Sequence, residues 1–178
     1  MGPDLLLKIG IPLRFHDANL ASVTDRLGIL VVKPVMEFAD KIRGLYLFGC
    51  NGSGKTYFGC ALLMRAITLG KTCCRLTHEE LVSSYMKNFS LPGRVTQPDV
   101  LFIDEVGKEI VVSERQNVYG PLLEKAARQR FDSLKFTIFA ANIRLVDLGR
   151  MYGETLVSYI GGYCQPVSMP NEDLRRNQ

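Results

Sequence analysis

At 178 residues, 47 % hydrophobic and 22 % charged, the sequence has the size and composition of one globular domain with a real core. Its net charge of +4 is compatible with a nucleic-acid partner but too small to argue for one. No apolar run reaches the roughly 18–20 residues that span a bilayer, the start lacks a signal-peptide pattern, and the five cysteines form no Cys-x-x-Cys pair. These features argue against a membrane protein, a secreted disulfide scaffold and a cysteine–histidine metal site. The cysteines read as small buried hydrophobes in a reducing, cytoplasmic setting.

The chain divides into a lead-in over 1–21, a core over 22–170 and a polar tail over 171–178. The lead-in carries Ile9-Gly10-Ile11-Pro12-Leu13-Arg14-Phe15 and reads as a strap on the core. A partly helical pattern over 23–32 precedes Pro34, which suits the first turn of a helix over 34–43 with Val35, Phe38 and Ile42 at helical spacing. Gly44 ends that helix. Leu45-Tyr46-Leu47-Phe48 reads as a buried strand, and Thr56 to Leu69, apolar nearly all round, as a helix packed on a sheet. Thr72 to Leu76 is a second strand. Thr77-His78-Glu79-Glu80 is a capping box opening a helix with Leu81, Tyr85 and Phe89 on one stripe. A polar loop covers 90–98, and Asp99 to Glu105 is an apolar strand ending in two carboxylates. Ser113-x-x-Gln116 is another capping box, for a helix to about Phe131 with a break at Gly120-Pro121. Phe136 to Ala141 is a fourth strand, 153–160 a helix, and Tyr163 to Met169 a fifth strand that Pro166 confines to an edge. Strands alternating with helices predict an α/β fold with a mostly parallel sheet.

Between the first strand and its helix, Gly49-Cys50-Asn51-Gly52-Ser53-Gly54-Lys55-Thr56 reads G-x-x-x-x-G-K-T, the phosphate-binding loop of nucleoside triphosphatases. The glycines let the backbone turn tightly and aim its N–H groups at an anion. Lys55 brings a point charge to the outer phosphates, and the Thr56 hydroxyl can ligate Mg²⁺. The helix adds the partial positive charge of its N-terminus. The expected nucleotide contacts are Gly49, Cys50, Asn51, Gly52, Ser53, Gly54, Lys55, Thr56 and Tyr57. In parallel sheets the site lies at the carboxyl ends of the strands, which puts Asp104, Glu105 and Asn142 beside this loop. Asp104 follows four apolar residues, the Walker B pattern, and would hold Mg²⁺ opposite Thr56. Glu105 is placed to orient or deprotonate an attacking water, and Asn142 to hydrogen-bond that water or the γ-phosphate.

These segments resemble, in order, those of the AAA+ ATPases of the bacterial helicase-loader and transposition-helper type, the DnaC/IstB family. Ile11-Pro12-Leu13-Arg14-Phe15 is similar to the family's lead-in, and Gly49–Thr56 and Asp99–Gly107 to its Walker A and Walker B. Arg130-Phe131 with Thr137–Asn142 resembles the segment that ends in the sensor 1 asparagine, and Tyr152–Ser158 the family's Y-G…S segment. Asn171-Glu172-Asp173-Leu174-Arg175 is similar to its closing G-E-D-x-R. The resemblance implies a P-loop NTPase (AAA+) core with a five-stranded, mostly parallel sheet flanked by helices and a lid domain reduced or absent. It implies ATP and Mg²⁺ as cofactors. The implied partners are a replicative hexameric helicase and single-stranded DNA, with self-association into an AAA+ oligomer. Few residues precede the lead-in, so the chain reads as an isolated ATPase core, either phage- or mobile-element-encoded or one that meets its partner through another surface.

The sequence departs from that pattern at three positions. Tyr159 follows Ser158 where the family has the arginine finger that reaches a neighbour's γ-phosphate, Ala141 precedes the sensor asparagine, and Asn171 replaces the closing glycine. A phenol cannot neutralise transition-state charge, so an ATP-dependent switch with little hydrolysis stands beside the helicase loader and the transposition helper on duplex DNA. Arg144 and Arg150 are the alternative sources of a trans-acting cation. A small-molecule kinase is disfavoured by the absence of an Arg-rich lid segment and by Glu105 after Asp104.

Overall fold

Leu45, Leu47, Phe102, Ile138 and Ala140 face one side of a five-stranded sheet, and Tyr46, Leu101, Ile103, Phe139 and Ala141 the other. Both sets are buried, which is why the strands read as unbroken apolar runs rather than alternating ones. This is seen in a computed structural model that describes residues 2–27, 42–108 and 116–173. The strands are β1 (Gly44–Phe48), β2 (Cys73–Thr77), β3 (Val100–Val106), β4 (Phe136–Ala141) and β5 (Cys164–Ser168). They pair in the order β2-β3-β4-β1-β5, and every pairing is parallel. β5 lies at an edge, as Pro166 requires.

Helices cover both faces. On the first lie α1 (Pro3–Lys8), α2 (Leu20–Leu27) and α3 (Lys55–Thr68). On the second lie α4 (His78–Asn88), the short α5 (Gly93–Thr96), α6 (Gln116–Asp132), α7 (Leu145–Tyr152) and α8 (Glu154–Tyr163). α3 is apolar nearly all round because it packs between the sheet and the lead-in, with Phe58, Leu62, Leu63 and Ala66 fully buried and Arg65 exposed. Its Gly59 lies against Phe102, where a Cβ would come within 2.8 Å of Phe102 Cδ1. Gly59→Val is therefore expected to destabilise the fold by about 2 kcal/mol through overpacking, read from the urea midpoint. A variant as stable as the wild type would show that α3 lifts from β3 at no cost.

The capping box at Thr77 forms as expected: its hydroxyl accepts from Glu80 N at 3.1 Å, and the Glu80 carboxylate accepts from Thr77 N at 2.7 Å. Three expectations need correction. The loop over 90–98 contains α5, whose Val95 is buried against the second core. A helix not anticipated, α7, precedes the expected one; it is short, and Gly149 and Gly153 interrupt its pattern. The break at Gly120-Pro121 is absent, and α6 runs through both residues. Pro121 removes a single backbone donor, and Gly120 lets Tyr152 approach, since a Cβ there would lie 2.8 Å from Tyr152 Cβ. Residues 34–41 of the expected helix over 34–43, the end of the pattern over 23–32, the Ser113 capping box and Arg175 lie outside the described residues, and residues 42–43 are not helical.

The lead-in is a strap with internal structure. Leu6 and Ile11 are buried, and Leu13–Phe15 form one 3₁₀ turn. It runs along the outer strand, where Arg75 N donates to Ile9 O at 2.7 Å.

Candidate functional site

The loop Gly49–Gly54 leaves the carboxyl end of β1 and enters α3, so the helix N-terminus faces the loop's hollow. Gly52 and Gly54 have φ of 78° and 92°, a left-handed backbone that side-chain-bearing residues rarely adopt. The Lys55 ammonium folds back over the loop, donating to Gly49 O at 2.8 Å, Cys50 O at 2.6 Å and Ser53 Oγ at 3.3 Å. Thr56 Oγ1 donates to Asp104 Oδ2 at 3.0 Å, joining the loop helix to the end of β3. Parallel pairing makes this contact possible: β1 and β3 end at the same rim of the sheet, with β4 between them.

β3 carries the acidic pair differently from the sequence expectation. The strand continues to Val106, with a register shift against β4 between Ile103 and Val106. Asp104 points inward and is 3 % exposed, whereas Glu105 adopts a positive φ of 62°. Such strain in a non-glycine residue is uncommon and costs on the order of 1–3 kcal/mol. It turns the Glu105 carboxylate outward, where Oε1 accepts from Lys108 Nζ at 2.8 Å. That pair is half exposed and worth less than about 1 kcal/mol, so Glu105 can exchange Lys108 for a water at little cost. Asn142 follows β4 and lines the same cleft as Glu105 and Lys108.

The cleft has a volume of about 650 Å³, within the range of small-molecule sites. The structure gathers Asn51 through Tyr57, Asp104, Glu105 and Asn142 along its walls. Gly49 and Cys50 begin the same loop, and both of their carbonyls hold Lys55. Tyr57 lines the cleft as well, and its hydroxyl accepts from Asn19 N at 3.3 Å, fastening the lead-in to α3. Residues that sequence reasoning missed complete the walls. Phe15, Val23, Met169 and Pro170 add apolar lining beside the polar Arg14, Asp17 and Ser22. The signal for Phe15 was present in Ile11–Phe15, a segment too specific for a bland strap. The chain past β5 then crosses the loop: Met169 N donates to Phe48 O at 2.8 Å, and Asp173 packs against Gly52.

Arg75 also escaped sequence reasoning; its Nη2 reaches Asp104 Oδ2 at 2.7 Å. Tyr159 is far from this chemistry and does not line the cleft. Its ring stacks on Phe131, with centroids 6.5 Å apart, beneath the Arg128 guanidinium at 4.2 Å. Arg150 is largely exposed and pairs with Asp147 at 2.8 Å.

Two hard oxygen donors, the Thr56 hydroxyl and the Asp104 carboxylate, face each other beside an anion-binding loop. That donor set fits Mg²⁺, which takes few protein ligands and completes its shell with phosphate and water. Among the described residues there is no group of three or more His, Cys, Asp or Glu placed to hold a metal ion, and no helix is long and apolar enough to cross a membrane.

Fold and cleft together define the class by its architecture: an α/β core of five parallel strands flanked by helices, the fold of AAA+ P-loop NTPases. Solved structures with this fold include a DnaC helicase loader, which is 22 % identical over 89 % of this chain and all of that one, with a TM-score of 0.73. DnaI is 20 % identical over 92 % of this chain and 94 % of its own, with a TM-score of 0.70. A replication initiator DnaA, solved with AMPPCP and single-stranded DNA, is 17 % identical over 88 % of this chain and 51 % of its own, with a TM-score of 0.71. At these identities the likeness is one of fold. No protein-family model matches the sequence, and no curated protein does.

Proposed function

We propose that this chain is an ATP-binding, Mg²⁺-dependent AAA+ ATPase that acts as a helicase loader in DNA replication. The observation that carries the reading is the 3.0 Å bond from Thr56 to Asp104, which joins the Gly49–Thr56 loop to the carboxylate at the end of β3. In this reading the loop N–H groups and Lys55 hold the β- and γ-phosphates. Thr56 and Asp104 hold Mg²⁺, which neutralises charge on those phosphates when bound. Glu105 orients the attacking water, with Asn142 beside it, and the apolar lining residues Phe15, Val23 and Met169 pack against the base. The helicase-loader identity of the DnaC neighbour supports a replicative hexameric helicase as partner. The DnaA neighbour, solved with a nucleotide analogue and single-stranded DNA, supports those two ligands. Self-association into an AAA+ oligomer belongs to the same proposal.

The Tyr159 stack favours a second reading, an ATP-dependent switch with little turnover, because it leaves no cation at that position of α8. An IstB-like transposition helper differs from the loader in its DNA, and binding to single-stranded against duplex oligonucleotides separates the two. For the ATPase itself, Glu105→Gln is expected to keep ATP affinity within about threefold and to lower hydrolysis by about 100-fold or more, the size of a lost general base. Equal turnover in variant and wild type would remove Glu105 from the chemistry. A wild type that binds MgATP without measurable turnover would favour the switch.

A further inference from the structure

Arg75 sits on the outer strand β2 and reaches across to β3. The register pairs it with Phe102, two residues before Asp104, and its guanidinium lies 5.7 Å from the Phe102 ring on the face covered by α3. Nη2 donates to Asp104 Oδ2 at 2.7 Å, the oxygen that also accepts from Thr56 at 3.0 Å. The other carboxylate oxygen accepts from Glu105 N at 2.9 Å, so Asp104 is held from three directions. Nη1 donates to Gly10 O at 3.2 Å, while Nε is buried without a hydrogen-bond partner among the described residues. The two side chains are only 11 % and 5 % exposed.

A buried ion pair is a costly brace, and an apolar pair of similar volume commonly stabilises a core as well or better. The unpartnered Nε adds to that cost. The pair nevertheless stands at the carboxylate that faces the phosphate-loop hydroxyl. There its charge has a specific effect: a fixed cation at Asp104 repels any second cation that approaches the same oxygen, and burial weakens the screening. A polyphosphate entering with a metal ion brings enough negative charge to reverse that balance.

We propose that Arg75 is a positioning residue that holds Asp104 toward Thr56 and keeps divalent cations off this carboxylate unless they arrive with a nucleotide. The inference rests on Thr56 and Asp104 being the Mg²⁺ ligands.

The test uses the full chain and Mn²⁺ as the probe, with free Mn²⁺ read by electron paramagnetic resonance in the absence of nucleotide. Wild type is expected to leave millimolar Mn²⁺ free. Arg75→Gln is expected to bind Mn²⁺ at least about tenfold more tightly, and Mn²⁺ is expected to raise its melting temperature while leaving that of wild type unchanged. A merely structural Arg75 would give a variant whose lowered melting temperature does not respond to Mn²⁺. Arg75→Lys, a gentler change that keeps the charge and loses the fork, is expected to bind Mn²⁺ about threefold more tightly than wild type. It carries the comparison if Arg75→Gln does not fold. Mn²⁺ binding by nucleotide-free wild type, or no gain in the folded variants, would overturn the proposal. A separate MgATP titration of wild type tests the ATPase reading, and its failure leaves the Mn²⁺ result readable.

Discussion

Lys55→Ala is expected to lower ATP affinity by about 100-fold or more while leaving the protein folded. Charge-assisted hydrogen bonds contribute about 1.5–3 kcal/mol each, and an ammonium shared between two phosphates loses at least one such contribution on truncation. About 2.8 kcal/mol corresponds to a hundredfold in Kd. The ammonium now bonds two loop carbonyls and Ser53 Oγ, partners that phosphate oxygens would replace. Truncation at the loop spares both core clusters, so the unfolding midpoint should move little. Titration with a fluorescent ATP analogue, paired with urea denaturation, checks both halves. An alanine variant that binds ATP within threefold of wild type would remove this loop as the nucleotide site.

Arg130→Met should have the largest effect on stability, at least about 4 kcal/mol, a substantial part of the roughly 5–15 kcal/mol available to a domain. Arg130 is fully buried, and all five of its N–H donors are used. Nε donates to Thr137 Oγ1 at 2.8 Å. Nη1 donates to Val95 O and Pro98 O at 2.7 and 3.0 Å, and Nη2 to Phe136 O and Asp99 O at 2.7 and 3.4 Å. One guanidinium thus ties α6 to the starts of β3 and β4 and to the chain after α5. Burial pushes its pKa down to about 10, which leaves it charged at neutral pH. Methionine fills much of the volume but strands several buried carbonyls, each costing about 1–3 kcal/mol with incomplete additivity. Arg130→Lys, with three donors, should recover part of the loss. A methionine variant within 1 kcal/mol of wild type in urea would show that the clamp is dispensable.

The parts of this molecule that the sequence disclosed are those whose signal is local. Gly49–Thr56 is contiguous, and the four apolar residues before Asp104 place its carboxylate at a strand end; both could be assigned before any strand order was known. Phe136–Ala141 was bounded to the residue because six residues, all apolar but Thr137, stand between polar flanks. Arg75 was invisible for the opposite reason. Its meaning depends on β2 lying next to β3 in one register, and nothing within β2 encodes that. Glu105 could be named, but not its outward turn, because the bulge is a property of the β3–β4 pairing. Arg130 and Thr137 stood out only through family resemblance, and the bond between them supplies the physical reason. At Gly120-Pro121 local punctuation misled, since the glycine serves a contact with Tyr152 that lies far along the chain.

The strap along β2 bears on how copies of this chain can meet. β2 and β5 are the outer strands of the sheet, and bare outer strands invite another molecule to extend them. At one margin Arg75 N is taken by Ile9, and Gly10 lies so close that a Cβ would run into the Arg75 carbonyl. At the other margin Pro166 withdraws a donor. Deleting residues 2–11 should therefore raise the protein's tendency to aggregate through β2, read by light scattering, even with the phosphate loop untouched. With both margins obstructed, the proposed self-association would have to use the helical faces or the cleft, where contact with a neighbour could answer to what the cleft holds.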